Sequence, residues 1–299
     1  MLNECKQRKS LPSQKAHVHG YVHGTHLLVV KGAMATNSDT SASLKLHTDR
    51  LATFNMLATR YTKFCTKYHG GPDAPPGAVE TASQRDARYA LNLQVIRDLH
   101  ATILLTQEHD FGLGTLPGLP YGARVAVEDR NEGCGVFAGQ PLQWSMGLDL
   151  GDGKTGMVAC LGTGLLVASV HLKGGRDTAT AKLAQINRLL EIVDAHPGRP
   201  CVIAGDMNDT APGCAPFGLR LQEAGFTLVP AVGPTGLTSM TSERLVPLEL
   251  DHVFVRGVES ATLAFGVPGV APGAPWGPDV IVGSDHVPLV LDVTYRVDI

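Results

Sequence analysis

Six places in this chain put ionisable or carboxamide side chains where a short apolar run begins or ends. Asn55 follows L-A-T-F, Gln107 and Glu108 follow I-L-L-T, and His171 follows L-V-A-S-V. Asp206-Met207-Asn208 follows V-I-A-G, Asp251-His252 opens the run V-F-V, and Ser284-Asp285-His286 precedes V-P-L-V-L-D-V. Carboxylates hold hard cations and accept protons, imidazoles donate or accept protons, and carboxamides orient both. Such groups at the ends of core strands are destabilising unless paired, so their recurrence implies strand ends that converge on one polar cleft. Alternation along an extended chain puts Asp206 and Asn208 on one face with Met207 opposed, and Asn55 on the face of Leu51 and Thr53. Asp285 and His286 cannot both leave a flat strand on one side, which predicts a turn at Gly283-Ser284.

The elements that must position these residues are legible as apolar periodicity. Leu51–Leu57, Ala101–Thr106, Leu165–Leu172, Pro200–Ala204, Leu250–Arg256 and Val287–Thr294 read as strands. Ser83–His100 has helix-spaced Ala87, Ala90, Leu91, Ile96 and Leu99, and Asp177–Ala195 carries Leu183, Ile186, Leu189, Leu190 and Val193 on one stripe. Ala215–Ala224 reads as a third helix, and Pro72–Gly77 as a turn-rich excursion. Between Phe111 and Gly164, the segments Ala123–Val127, Cys134–Ala138, Trp144–Leu150 and Met157–Leu161 have the spacing of antiparallel strands. The pattern predicts an α/β (α+β) domain with two mixed sheets face to face and helices outside.

Composition narrows the classes. The 299 residues are 43% hydrophobic and 18% charged, as in a folded globular chain. No apolar run approaches the roughly 20 residues of a membrane span. The polar start M-L-N-E-C-K-Q-R-K-S has no signal-peptide pattern, and the six scattered cysteines read as reduced thiols rather than a zinc site or disulfide scaffold. An intracellular protein is expected. The net charge of −3 argues against coating nucleic acid by bulk electrostatics, but not against an enzyme that meets phosphate through a bound cation. Residues 1–48, basic, rich in Ser and Thr and bearing His17, His19, His23 and His26, read as a disordered leader, and residues 49–299 as one folded domain that would carry any catalysis.

Taken in order, these motifs resemble the endonuclease/exonuclease/phosphatase superfamily, with its DNase I-like fold, from Leu51 to Val293. The matching strings are F-N at 54–55, Q-E at 107–108, V-H-L at 170–172, G-D-M-N at 205–208, L-D-H-V-F-V at 250–255 and S-D-H at 284–286. Within the superfamily, E-G-C-G-V-F at 132–137, V-H-L-K at 170–173 and F-N-M-L-A-T-R-Y at 54–61 are similar to the nocturnin/deadenylase branch. Arg244–Leu250, where that branch often has an aromatic residue, contains none.

The resemblance implies a Mg²⁺-dependent phosphoesterase, with Mn²⁺ as a substitute. Glu108 and Asn55 would hold the cation, and Asp285 would complete that shell or serve a second ion. Asp206 would orient and deprotonate the attacking water, with Asn208 fixing it and donating to the phosphoryl group. His171 and His286 would donate to oxygens that gain charge, and Asp251 would hold one nitrogen of His286. Lys173 and Arg176 would contact the phosphate or substrate. The substrate expected is a phosphate ester, RNA or a nucleotide, cut as by a 3′-exoribonuclease. A nucleotide, inositide or lipid phosphatase and a DNA repair endonuclease are alternatives on the same cleft, and a non-catalytic binding module is a third. From the residues alone, His252 is expected to pack in the interior, and Trp144 and Trp276 to be anchors.

Overall fold

The computed structural model describes residues 45–64, 80–110, 115–127, 130–230, 232–238, 246–266 and 284–297. These fall in a compact unit spanning Ala42–Ile299. One six-stranded sheet runs β13-β14-β1-β2-β4-β3 and the other β5-β6-β7-β8-β12-β9. The strands of the first are β1 (Lys45–Asn55), β2 (Ile103–Gln107), β3 (Tyr121–Ala126), β4 (Gly133–Ala138), β13 (Ser260–Phe265) and β14 (Leu289–Val297). Those of the second are β5 (Leu142–Gly151), β6 (Lys154–Leu161), β7 (Leu166–His171), β8 (Cys201–Asp206), β9 (Thr227–Leu228) and β12 (Asp251–Arg256). A small hairpin, β10 (Gly236–Thr238) with β11 (Val246–Leu248), forms a third sheet that bridges to His286 at Gly236. β1 and β2 are parallel, as are β7 and β8.

Strand alternation sorts the apolar residues into three cores. Leu51, Ile103, Leu105, Val136, Val167, Val202, Ala204, Val253 and Leu291 fill the space between the sheets. The opposite faces of the first sheet, with Ala52, Phe54, Leu104 and Phe137, pack on Ile96 and Leu99 at the end of helix α1 (Ala82–Asp98). The outer face of the second packs on α2 (Ala179–Val193) and α3 (Pro216–Glu223) through Ile203, Phe254, Ile186, Leu189 and Phe217. The two face-to-face sheets with flanking helices are as expected.

Three local expectations need correction. Lys45–Thr48, assigned above to the leader, begin β1 and pair with Val297–Thr294 of β14. On α1 the expected apolar stripe is mostly solvent-facing: Ala87, Ala90 and Leu91 are exposed, and Arg88, Asn92 and Ile96 are buried. The reason lies in the chain that follows β1. Arg88 Nη1 and Asn92 Nδ2 donate to the carbonyl of Met56 at 3.1 and 3.0 Å, and Arg88 Nη1 also donates to that of Leu57. Buried carbonyls that leave a sheet need donors, and this helix supplies them with polar side chains. Strand β1 also stops at Asn55 rather than Leu57, which has φ 57°. The strand β13 and the β10–β11 hairpin were not anticipated. Residues 1–44, Pro72–Gly77, Gly283 and Trp276 lie outside the described residues.

Candidate active site

The inner face of each central strand changes character at one end. Inner positions run Leu51, Thr53, Asn55 on β1 and Ile103, Leu105, Gln107 on β2. Across the gap they run Val167, Ser169, His171 on β7 and Val202, Ala204, Asp206 on β8. Asp251 opens antiparallel β12 opposite Asp206. The site is therefore the polar continuation of the inter-sheet core. Gln107 links the sheets, donating from Nε2 to Thr53 Oγ1 at 3.1 Å and Ser169 Oγ at 3.0 Å. Gly205 permits β8 to lie where it does: its φ is 147°, and a Cβ there would stand 2.1 Å from the carbonyl oxygen of Val170.

Glu108 lies one residue beyond β2, and parity alone would send it to the outer face. Its φ of 52° returns it to the cleft. There Oε2 accepts from the Ala58 N–H at 3.0 Å, and Oε1 accepts from Asn55 Nδ2 at 3.3 Å. The same Nδ2 donates to Asp206 Oδ2 at 3.0 Å, so one carboxamide bridges the two carboxylates. Asn55 is fixed in turn by the Leu57 N–H on its Oδ1, and its own carbonyl accepts from Ser284 Oγ at 2.6 Å. Asp206 Oδ1 accepts from the Asn208 N–H at 2.8 Å.

His286 Nδ1 donates to Asp251 Oδ2 at 2.7 Å, and its Nε2 stands 3.8 Å from Asp206 Oδ2. Thr235 Oγ1 accepts from the backbone N–H of Asp251 at 2.9 Å. His171 Nε2 lies 3.5 Å from Asp206 Oδ2 and 3.8 Å from Glu108 Oε1. Glu108, His171 and Asp206 each offer a ligand atom, all within 4.8 Å of one another.

The electrostatics follow from burial and from crowded like charge. Burial, then the charge of Asp285, pushes the Glu108 carboxyl up to about 7. Burial likewise raises Asp206, with Asp251 adding to it. Burial would lower His286, but the charge and hydrogen bond of Asp251, with Asp206 and Asp285 beyond, hold it well above the usual imidazole range. His171 goes the other way, lowered by burial and by the cations Lys154 and His286.

Six of the expected residues thus meet through direct polar contacts, namely Asn55, Glu108, His171, Asp206, Asp251 and His286. Asp285 joins them through its charge on Glu108 and His286. Asn208 is at the rim, but not by strand alternation: β8 ends at Asp206, Asn208 has φ 50°, and its Nδ2 donates to the Leu172 carbonyl at 3.1 Å. Lys173 and Arg176 make no side-chain contact with this group among the described residues; the Lys173 backbone N–H donates to Gln185 Oε1 at 2.9 Å, and Arg176 is exposed. His252 is interior, as expected, with Nε2 at 2.6 Å from the Asp209 carbonyl oxygen, and Trp144 stacks on His196.

Sequence reading missed Lys154. It begins β6 directly after the turn G-D-G, and its Nζ donates to His171 Nε2. Burial lowers its pKa. A lysine at a strand edge ordinarily reads as a solvated end; the G-D-G turn signal marks the bend but not where the side chain goes.

The model of the endonuclease/exonuclease/phosphatase family matches residues 52–286. A search of curated proteins by sequence finds no significant match. Among solved structures, the human nocturnin catalytic domain is similar with a TM-score of 0.57 and 16% identity, over 85% of this chain and 97% of that one. Truncated Caenorhabditis elegans TDP2 gives 0.59 and 11%, over 82% and 97%. ANGEL2, described as a 2′,3′-cyclic phosphatase, gives 0.59 and 14%, over 88% and 100%. At these identities the likeness is one of fold.

Proposed function

The chain belongs to the endonuclease/exonuclease/phosphatase family and is a hydrolase of phosphate esters; from that premise we propose a divalent-cation-dependent phosphodiesterase of the nocturnin/deadenylase type, acting at the 3′ end of RNA or on a nucleotide. The observation that carries this reading is the Asn55 carboxamide shared between Glu108 and Asp206, with His171 and His286 at the same carboxylate. The strings E-G-C-G-V-F and V-H-L-K support the branch.

The donor set suits a hard cation. Glu108, raised to about 7 by burial and by the charge of Asp285, is a carboxylate whose ionised form a cation would favour. Glu108 and Asn55 would hold it, with Asp285 contributing, and Mg²⁺ or Mn²⁺ fits oxygen donors with few protein ligands. Bound there, the cation would supply positive charge to the phosphate oxygens.

The remaining steps belong to the chain. Asp206 accepts the proton of the attacking water; Asn55 on Oδ2 and the Asn208 N–H on Oδ1 hold its carboxylate plane. Its raised pKa makes it a stronger base than an exposed aspartate. His286, kept protonated by Asp251, donates from Nε2 to oxygen that gains charge as the P–O bond breaks. Beside Asn208 a groove of about 490 Å³, lined in part by Thr178, Lys182, Leu248 and Leu250, offers room for the substrate's flanking part. An intracellular setting is part of this reading, in keeping with the free, buried Cys134, Cys160 and Cys201. Among the described residues no helix is long and apolar enough to cross a membrane.

The test is Mg²⁺-dependent hydrolysis across poly(A), 2′,3′-cyclic phosphate ends, NADP(H), abasic DNA, inositol phosphates and sphingomyelin, with Asp206→Ala as control. Shortening of poly(A) that needs the cation and Asp206 is expected. Preference for another substrate moves the protein to that activity on the same cleft. Equal activity in Asp206→Ala, or activity untouched by chelator, overturns the mechanism.

A further inference from the structure

We propose that Lys154 is a catalytic residue of this cleft, its ammonium donating to a non-bridging oxygen of the scissile phosphate in the role a second cation would otherwise fill. The proposal rests on the phosphoesterase reading above. Lys154 is held by a tight turn: Gly151, Asp152 and Gly153 all have positive φ, of 87°, 57° and 67°. Gln185 Nε2 donates to the Gly151 carbonyl at 3.2 Å, and Arg188 Nη1 to that of Asp149 at 3.4 Å, so α2 pins the bend. An ammonium has three N–H donors and no acceptor. One is spent on His171 Nε2, and among the described residues no other acceptor is paired with Nζ. No carboxylate lies within ion-pair distance of it among the described residues, although Glu108, Asp206 and Glu132 all feel its charge. A half-buried cation with two donors open, next to a carboxylate site, is matched by an anionic ligand with several oxygens.

The same contact changes the part His171 plays. Its Nε2, the nitrogen facing Asp206 and Glu108, accepts from Lys154 and therefore carries no proton. The donor at this edge of the site is Lys154, and His171 positions it. In the reaction Lys154 keeps its protons: water's oxygen bonds to phosphorus, the ester P–O bond breaks, and Asp206 takes the water's proton.

The experiment uses the full chain with Mg²⁺ and bis(p-nitrophenyl) phosphate, comparing wild type with Lys154→Met, Lys154→Arg and Lys154→Ala. A fall in kcat of about 10²–10³ is expected for Lys154→Met, with partial activity in Lys154→Arg and an unchanged melting temperature. Methylammonium should restore activity to Lys154→Ala, while tetramethylammonium, which has no N–H, should not. Lys154→Met within threefold of wild type overturns the proposal. So does a loss that neither arginine nor methylammonium restores, because it marks a merely structural lysine. A wild-type chain that hydrolyses no phosphate ester removes the phosphoesterase reading itself, a result distinct from either.

Discussion

Two histidines of the cleft are both buried, which favours the neutral ring in each, and they shift in opposite directions because of the partner each one meets. His286 leans on a carboxylate, Asp251, and is held charged; His171 faces an ammonium, Lys154, and is held neutral. That split assigns His286 as the proton-bearing donor. Asp251→Asn keeps the shape but removes the charge that stabilises the imidazolium. Its kcat is expected to fall by about 10²–10⁴. Activity that needs protonated His286 is lost as pH rises through its pKa, so the alkaline limb of the pH–rate profile should move to lower pH in the variant. An unmoved limb would show that His286 is not the group titrating there.

At the scale of elements, α1 contributes through what it holds. Arg88 forms a buried pair with Glu80, its Nε at 2.9 Å from Oε2, while Nη1 and the neighbouring Asn92 tie down Met56 and Leu57. Those residues follow Asn55 immediately, so the helix fixes the exit of the strand that presents the bridging carboxamide. Arg88→Ala leaves Glu80, whose side chain is 1% exposed, as an uncompensated buried charge. A loss of about 3–5 kcal/mol in denaturant unfolding is expected, and surviving folded protein should lose kcat as Asn55 shifts. A change below about 1 kcal/mol would mean that the loop holds itself.

Over the whole molecule, the buried carboxyl of Glu108 opposes folding at neutral pH when no cation is bound. Glu108 ionises at about 7 in the folded chain against 4.5 for a free carboxyl. The folded state therefore binds the extra proton between these values, and stability from this group is full below about 4.5 and lost as pH rises through 7. In chelator, the melting temperature of wild type should fall more steeply with pH over that window than that of Glu108→Gln. Mg²⁺ should raise the wild-type melting temperature most above pH 7, where no proton competes. Parallel pH curves for the two proteins, with or without Mg²⁺, would refute the account of Glu108.

The sequence alone was enough to locate the central strands of both sheets, though not β9, β13 or the β10–β11 hairpin, and it gave the order of the six motifs and the residue types of the site, because apolar period and polar strand ends are local signals. It also placed Asn55, His171, Asp206 and Asp251, whose side-chain direction follows from the alternation of a strand. It could not place Glu108 or Asn208, which lie past strand ends on residues of positive φ, where alternation stops. Nor could it see that α1 buries Arg88 and Asn92 rather than Ala87 and Leu91, since the unmet carbonyls that select that face belong to another segment. Lys154 reaches His171 only because β6 pairs with β7 in one register, with Gly156 opposite Val170. Pairing between distant segments is a property of the assembled sheet, and no local pattern in the chain encodes it.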